Sequence, residues 1–230
     1  MLQHPLRTAL VSLAAALTVV TTAAAVTGST PDGGAHPYVG ALVVDGSVAC
    51  SGVLIAPTVF ATAGHCGADG ARVSVTFDTK LGEGWTLVGG TFELDSARRS
   101  DLAVVVLDAP AAVVPAALPA AGVVEALTRR DSVTSVGYGY SARAADGSWI
   151  YDGLRRTAAS PVAGVSKTML KISTKEAGPC MGDSGGPQLA GNTVLSVTSG
   201  GPKDCTGKAE GYRLDTKSAR GFLAGFLTLP

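Results

Sequence analysis

Across residues 72–78, Arg72-Val73-Ser74-Val75-Thr76-Phe77-Asp78, polar and apolar side chains alternate without a break, so Val73, Val75 and Phe77 share one face of an extended chain. A period of two predicts a half-buried antiparallel strand. Similar short runs predict strands at residues 39–44, 51–55, 91–94, 132–136, 169–173 and 194–198. The run Asp101-Leu102-Ala103-Val104-Val105-Val106-Leu107 is apolar after its first residue and rich in β-branched side chains, which suits a buried strand. A helical period is read near the end of the chain, where Phe222, Leu223, Phe226 and Leu227 form one apolar face. Asp215 or Thr216 offers its cap, while Gly221 and Gly225 weaken it. The 30 glycines and 12 prolines among 230 residues punctuate the chain as many short strands require, and no internal repeat is evident.

The first residues follow a different pattern. Arg7 precedes an apolar stretch over residues 8–20, and Ala23-Ala24-Ala25 supplies a small-residue cleavage site, so residues 1–25 read as a secretory signal peptide. An uncleaved membrane anchor is the alternative, but Ser12, Thr18, Thr21 and Thr22 interrupt a run barely long enough to span. No stable membrane association is expected after cleavage. Loss of residues 1–25 removes one basic and no acidic side chain, leaving a net charge of −1, and nothing in that balance suggests a nucleic-acid partner.

The most chemically suggestive stretch is Gly182-Asp183-Ser184-Gly185-Gly186-Pro187, a hydroxyl set among residues that let the backbone turn sharply. It reads as a nucleophile site, and Gly182 to Gly186 also fits the G-x-S-x-G elbow of another fold. Histidine order decides between them. A serine hydroxyl needs an imidazole to take its proton. The three histidines, His4, His36 and His65, all precede Ser184, whereas the elbow fold needs its histidine last. His65 lies in Ala61-Thr62-Ala63-Gly64-His65-Cys66, whose small neighbours let the ring sit against backbone. Asp101, at the start of its strand, is the best carboxylate to orient the imidazole. The other acidic residues between His65 and Ser184 mostly occupy turn-like or polar contexts.

In that order, Ala61 to Cys66, Asp101 to Val104 and Gly182 to Pro187 resemble the signature segments of the chymotrypsin/trypsin-like serine proteases, particularly secreted bacterial members. The likeness extends to Ala35-His36-Pro37-Tyr38-Val39-Gly40, Val136-Gly137-Tyr138-Gly139 and Ser199-Gly200-Gly201. The resemblance implies an all-β fold of two antiparallel six-stranded β-barrels with a short C-terminal helix. The active site would lie in the cleft between them. On that plan residues 26–108 form the first barrel, 109–121 the Pro- and Ala-rich connection, and 122–230 the second barrel and helix.

The resemblance also implies roles. Ser184 is the nucleophile, His65 the base and then acid, Asp101 its orienting partner, and the backbone N–H groups of Gly182 and Ser184 the oxyanion donors. Asp183 pairs with a free α-amino group that orders the oxyanion loop, and cleavage after Ala25 would expose Val26-Thr27-Gly28 for this purpose. An Arg or Lys inside the barrel is the alternative partner. Gly178 stands where trypsins carry the aspartate that binds Arg or Lys. With Ser199, Gly200 and Gly201 it frames a pocket expected to prefer apolar or aromatic side chains over basic ones. Glu210 could restore a basic preference by entering it, but reads better as a solvated loop residue, as do Lys203 and Lys208. His36, Tyr138, Trp85, Trp149 and Met181 are read as framework or packing residues.

Four cysteines admit three pairings, of which Cys50–Cys66 and Cys180–Cys205, each closing a local loop, are expected. Each loop would contribute roughly 3 kcal/mol. No metal or other cofactor is implied, because the cysteine and histidine spacings match no metal motif. The expected partners are protein or peptide substrates, met by a monomer outside the cell. An inactive binding homologue on the same fold, or an esterase using the same three residues, are the competing functions.

Overall fold

The computed structural model describes residues 28–82, 84–97 and 100–230. Residues 1–25, expected to be a signal peptide, and Val26 lie outside the described residues. An edge strand β1 (Thr30–Pro31) is followed by β2 (Val39–Val44), β3 (Ser47–Ala56), β4 (Val59–Thr62), β5 (Arg72–Thr76), β6 (Val88–Leu94) and β7 (Ala103–Leu107). Strands β2 to β7 close a barrel in the order β2-β3-β4-β7-β6-β5, every pair antiparallel.

The second half contains β8 (Ser132–Gly137), a small hairpin of β9 (Ala142–Arg143) and β10 (Trp149–Ile150), then β11 (Arg156–Val165), β12 (Met169–Ser173), β13 (Pro187–Ala190), β14 (Thr193–Gly200) and β15 (Lys208–Arg213). Six of these run β11-β12-β15-β14-β13-β8, and pairing of β8 with β11 closes the second barrel, with β1 added to β11. The fold is therefore two closed six-stranded antiparallel barrels and one short helix, α1 (Lys217–Leu223). Thr216, not Asp215, caps that helix by accepting the N–H of Ala219, while Asp215 is held by Arg213 at 2.9 Å.

Closure depends on two ten-residue strands that change partner midway. In β11, residues 156–161 pair with β8 and residues 162–165 with β12. Pro161 falls at the changeover, where its missing N–H interrupts neither ladder for long. The segment after Asp108 crosses between the barrels: Ala111 and Ala116 donate to the carbonyls of Pro57 and Leu54, and Ala117 then exchanges bonds with Asn192 and Val194.

A buried polar cluster also spans the two halves. Arg155, 2% exposed, donates to Asp32 at 2.9 Å and to the carbonyls of Val39 and Phe77 at 3.1 and 3.0 Å. His36 adds a ring nitrogen 2.5 Å from Asp32. Burial alone would raise the Asp32 carboxyl, but bonds from His36 and Arg155 outweigh it and hold the group at about 2. Tyr138, fully buried and pushed up to about 12 by that burial, donates to the carbonyl of Asp78 at 2.7 Å. Both His36 and Tyr138 are framework residues in this arrangement.

Candidate active site

His65 sits in a single 3-10 turn, Gly64–Cys66, directly after β4. Its position is fixed from two sides. Cys66 is bonded to Cys50 on β3, and the backbone N–H of His65 donates to Asp101 Oδ1 at 3.0 Å. The ring Nδ1 lies 3.0 Å from Asp101 Oδ2 and 3.1 Å from Oδ1. An ionised carboxylate only accepts, so Nδ1 carries the proton and Nε2 is left as the acceptor. The bond to Asp101 raises the His65 pKa, with burial opposing it. Asp101 lies two residues before β7, not within it, so its carboxylate emerges from a loop fastened to the strand. Burial would raise its pKa, yet the bonds from His65 and from Ser199 Oγ, the latter 2.5 Å long, hold it below the usual range.

Ser184 lies in the loop between Cys180 and β13. Gly185 must be glycine: its φ is +78°, and an added Cβ would stand 2.1 Å from Thr62 Oγ1 and 2.7 Å from Ala63 N. That contact presses the serine loop of the second barrel against the Thr62-Ala63-Gly64-His65 run of the first. The Ser51 N–H reaches across to the Ser184 carbonyl at 2.9 Å, and the Gly185 N–H and Gly186 carbonyl bond to Thr198 on β14.

Asp183 is 4% exposed and accepts the N–H groups of Gly139 and Cys180, each at 2.8 Å. Burial pushes its carboxyl up to about 6 against those two bonds. Among the described residues it forms no ion pair with Arg or Lys. A small cavity beside it is lined by Ser29, Ser135, Gly137 and Arg156, the last paired with Asp152 at 2.8 Å.

A larger cavity of about 220 Å³ opens next to Ser184, with Met181, Thr198, Gly200, Gly201, Lys203 and Ala209 in its walls. Gly200 and Gly201, two of the residues expected to frame the pocket, line this cavity. Ser199 instead turns its hydroxyl to Asp101, and Gly178 backs onto Thr174, whose Cγ2 would lie 2.4 Å from an added Cβ. Glu210 points away and pairs with Lys171 at 2.8 Å. The cavity wall is supplied by its neighbour Ala209, a residue that sequence reasoning passed over. Strand alternation in Lys208-Ala209-Glu210 was the available signal, since facing Ala209 inward turns Glu210 outward. The second disulfide joins Cys180 to Cys205 and so ties the serine loop to this wall.

The trypsin family model matches residues 25–220. The chain belongs to the trypsin family. Among solved structures, that of HL collagenase, determined at 1.7 Å resolution, aligns with a TM-score of 0.69 at 19% identity. The alignment covers 83% of this chain and 93% of the collagenase, a likeness of fold. No curated protein matches the sequence. Family and fold together make this trypsin-family member a serine-type endopeptidase, acting on protein substrates.

Proposed function

We propose that this trypsin-family protein is a secreted endopeptidase in which Ser184 attacks the scissile carbonyl. His65 Nε2 takes the hydroxyl proton and returns it to the leaving amine, and Asp101 holds the ring and stabilises its cation. The N–H groups of Gly182 and Ser184 receive the oxyanion, and water then releases the acyl group from Ser184. The observation that carries this reading is the grip on Asp101, which accepts from the His65 ring, the His65 backbone and Ser199 at once. Such a carboxylate has one ring orientation to offer.

Residues 1–25 direct export on this reading, and the two disulfides suit an oxidising compartment. Cleavage after Ala25 frees the Val26 amine to pair with Asp183. Supporting this, Gly28 packs against Glu176 and Ala177, a short distance along the chain from a buried carboxylate with room beside it. The 220 Å³ cavity holds no acidic side chain in its walls, which favours an apolar or aromatic residue before the scissile bond over a basic one.

Ser184→Ala tests the assignment. Turnover of a mixed peptide panel and labelling by a fluorophosphonate should both disappear while the circular dichroism spectrum is retained. Labelling that persists in this variant would sink the nucleophile assignment.

A further inference from the structure

The loop bearing Ser184 presents three consecutive carbonyls, each held by a different donor. Met181 O accepts the Tyr140 N–H at 2.8 Å, Gly182 O accepts the Ser51 hydroxyl at 2.9 Å, and Asp183 O accepts the Gly186 N–H at 2.9 Å. A trans peptide points its N–H opposite its C=O, so anchoring a carbonyl also aims the N–H of the next residue. The first and third anchors aim the N–H groups of Gly182 and Ser184. The middle plane links these two, and its own N–H, on Asp183, turns back to Cys180 O at 3.0 Å. That plane starts at Gly182, whose φ of +93° no side chain restrains.

The middle anchor differs from the other two. It is a side chain, and it comes from the first barrel. Ser51 is fully buried, and its polar atoms are all engaged. Its Oγ accepts the Tyr138 N–H at 2.9 Å while donating to Gly182 O, its N–H bonds Ser184 O, and its carbonyl accepts Thr62 Oγ1 at 2.8 Å. Thr62 lies three residues before His65. Ser51 thus touches the backbone on both sides of Asp183 and the strand that delivers the imidazole.

We propose that Ser51 is a positioning residue that holds the Gly182 and Ser184 N–H groups in their oxyanion-binding arrangement from across the barrel interface. The proposal rests on the reading of Ser184 as nucleophile with those two N–H groups as oxyanion donors. Without the hydroxyl, the Gly182–Asp183 plane loses its anchor at Gly182 O, and because it links the two donor planes, the spacing and angle between the Gly182 and Ser184 N–H groups are no longer fixed. The cost falls on the tetrahedral state and spares ground-state binding.

The test compares wild type with Ser51→Ala on succinyl-Ala-Ala-Pro-Phe p-nitroanilide, and measures affinity for the matching peptide boronic acid and for the free peptide acid. Ser51→Ala should lower kcat about 100-fold, the scale of a lost oxyanion donor, with KM within a factor of two. Boronate affinity should fall in parallel with kcat. Affinity for the free peptide acid, and the acid limb of the pH profile set by His65, should stay in place. Ser51→Gly gives the same readouts should the alanine variant not fold, and Ser51→Thr, which keeps the hydroxyl, should recover at least tenfold in kcat. Unchanged kcat and boronate affinity in the Ala or Gly variant would overturn the proposal, as would an equal loss of boronate and peptide-acid binding. Fluorophosphonate labelling of wild type and its absence in Ser184→Ala report on the nucleophile separately, so failure of one reading is not mistaken for failure of the other.

Discussion

Asp32 and Asp183 are almost equally hidden, at 6% and 4% exposure, yet they settle at opposite ends of the carboxylate range. Asp32 is answered by Arg155 and His36 and held at about 2, whereas Asp183 receives two backbone N–H bonds and is pushed up to about 6. Burial acts in the same direction on both. The difference lies in whether a cation is supplied by the described fold. Arg155 comes from the second half of the chain and completes the first site, so Asp32 serves as architecture. Asp183, beside the proposed nucleophile, is left to a partner of another origin, and Val26 is the one we propose.

The largest effect should come from breaking the completed site. Arg155→Met leaves Asp32 buried with only His36 against it, and should cost about 3–5 kcal/mol in urea unfolding, the range for a stranded buried charge. Adding Asp32→Leu should restore part of that loss, because the stranded charge is then gone. Next in size is Asp183→Asn, which should lower kcat about 100-fold if an amine pairs with the carboxylate, since the amide cannot answer it and the oxyanion loop loses its anchor. A nearly silent Asp183→Asn variant would mean that the acid works in its neutral form, and would remove Val26 from the mechanism.

The smallest effect is on acid stability, where the two groups pull in opposite directions. For Asp32 the folded pKa lies below the ordinary 3.8, so its contribution is present above pH 3.8 and is lost as the pH falls toward about 2. For an unpaired Asp183 the folded pKa lies above 3.8, so its contribution is present at low pH and is lost as the pH rises from 3.8 to about 6. Urea midpoints across pH 2–7 should show the first slope in wild type and lose it in Asp32→Asn. A midpoint that does not fall between pH 4 and 6 would indicate that an amine occupies the Asp183 site.

The same division explains what the sequence disclosed. Alternation in residues 72–78 and the apolar run before Asp108 announced strands because each residue's environment repeats locally. Ser184 and His65 stood out because close approach of backbone demands small neighbours, and that demand is written beside them. Strand β11 was overlooked, since Arg156-Thr157-Ala158-Ala159-Ser160-Pro161 is poor in β-branched residues and contains a proline that only the change of partner accommodates. Ser51, Arg155 and Ala209 were missed for a different reason. Gly182, the partner of Ser51, and Asp32, the partner of Arg155, lie 131 and 123 residues away in the chain, and Ile172, which pairs with Ala209, lies 37 away, so only the folded chain brings them together. His36 was read as structural without its partner, because nothing near it in sequence says that Asp32 is also shared with Arg155.

The Cys180–Cys205 bond joins cysteines 25 positions apart in the chain, and the segment between them includes Ser184, β13, β14 and Ser199. One exposed point of that segment is the hairpin tip Ala190-Gly191-Asn192. A protein-cutting enzyme kept among its own copies is its own first hazard, and such a tip is where nicking concentrates. A cut there would leave the serine on one fragment and the pocket wall on the other. The sulfur bridge would keep the two fragments in a single molecule, so that self-digestion at this point scars the enzyme without dividing it.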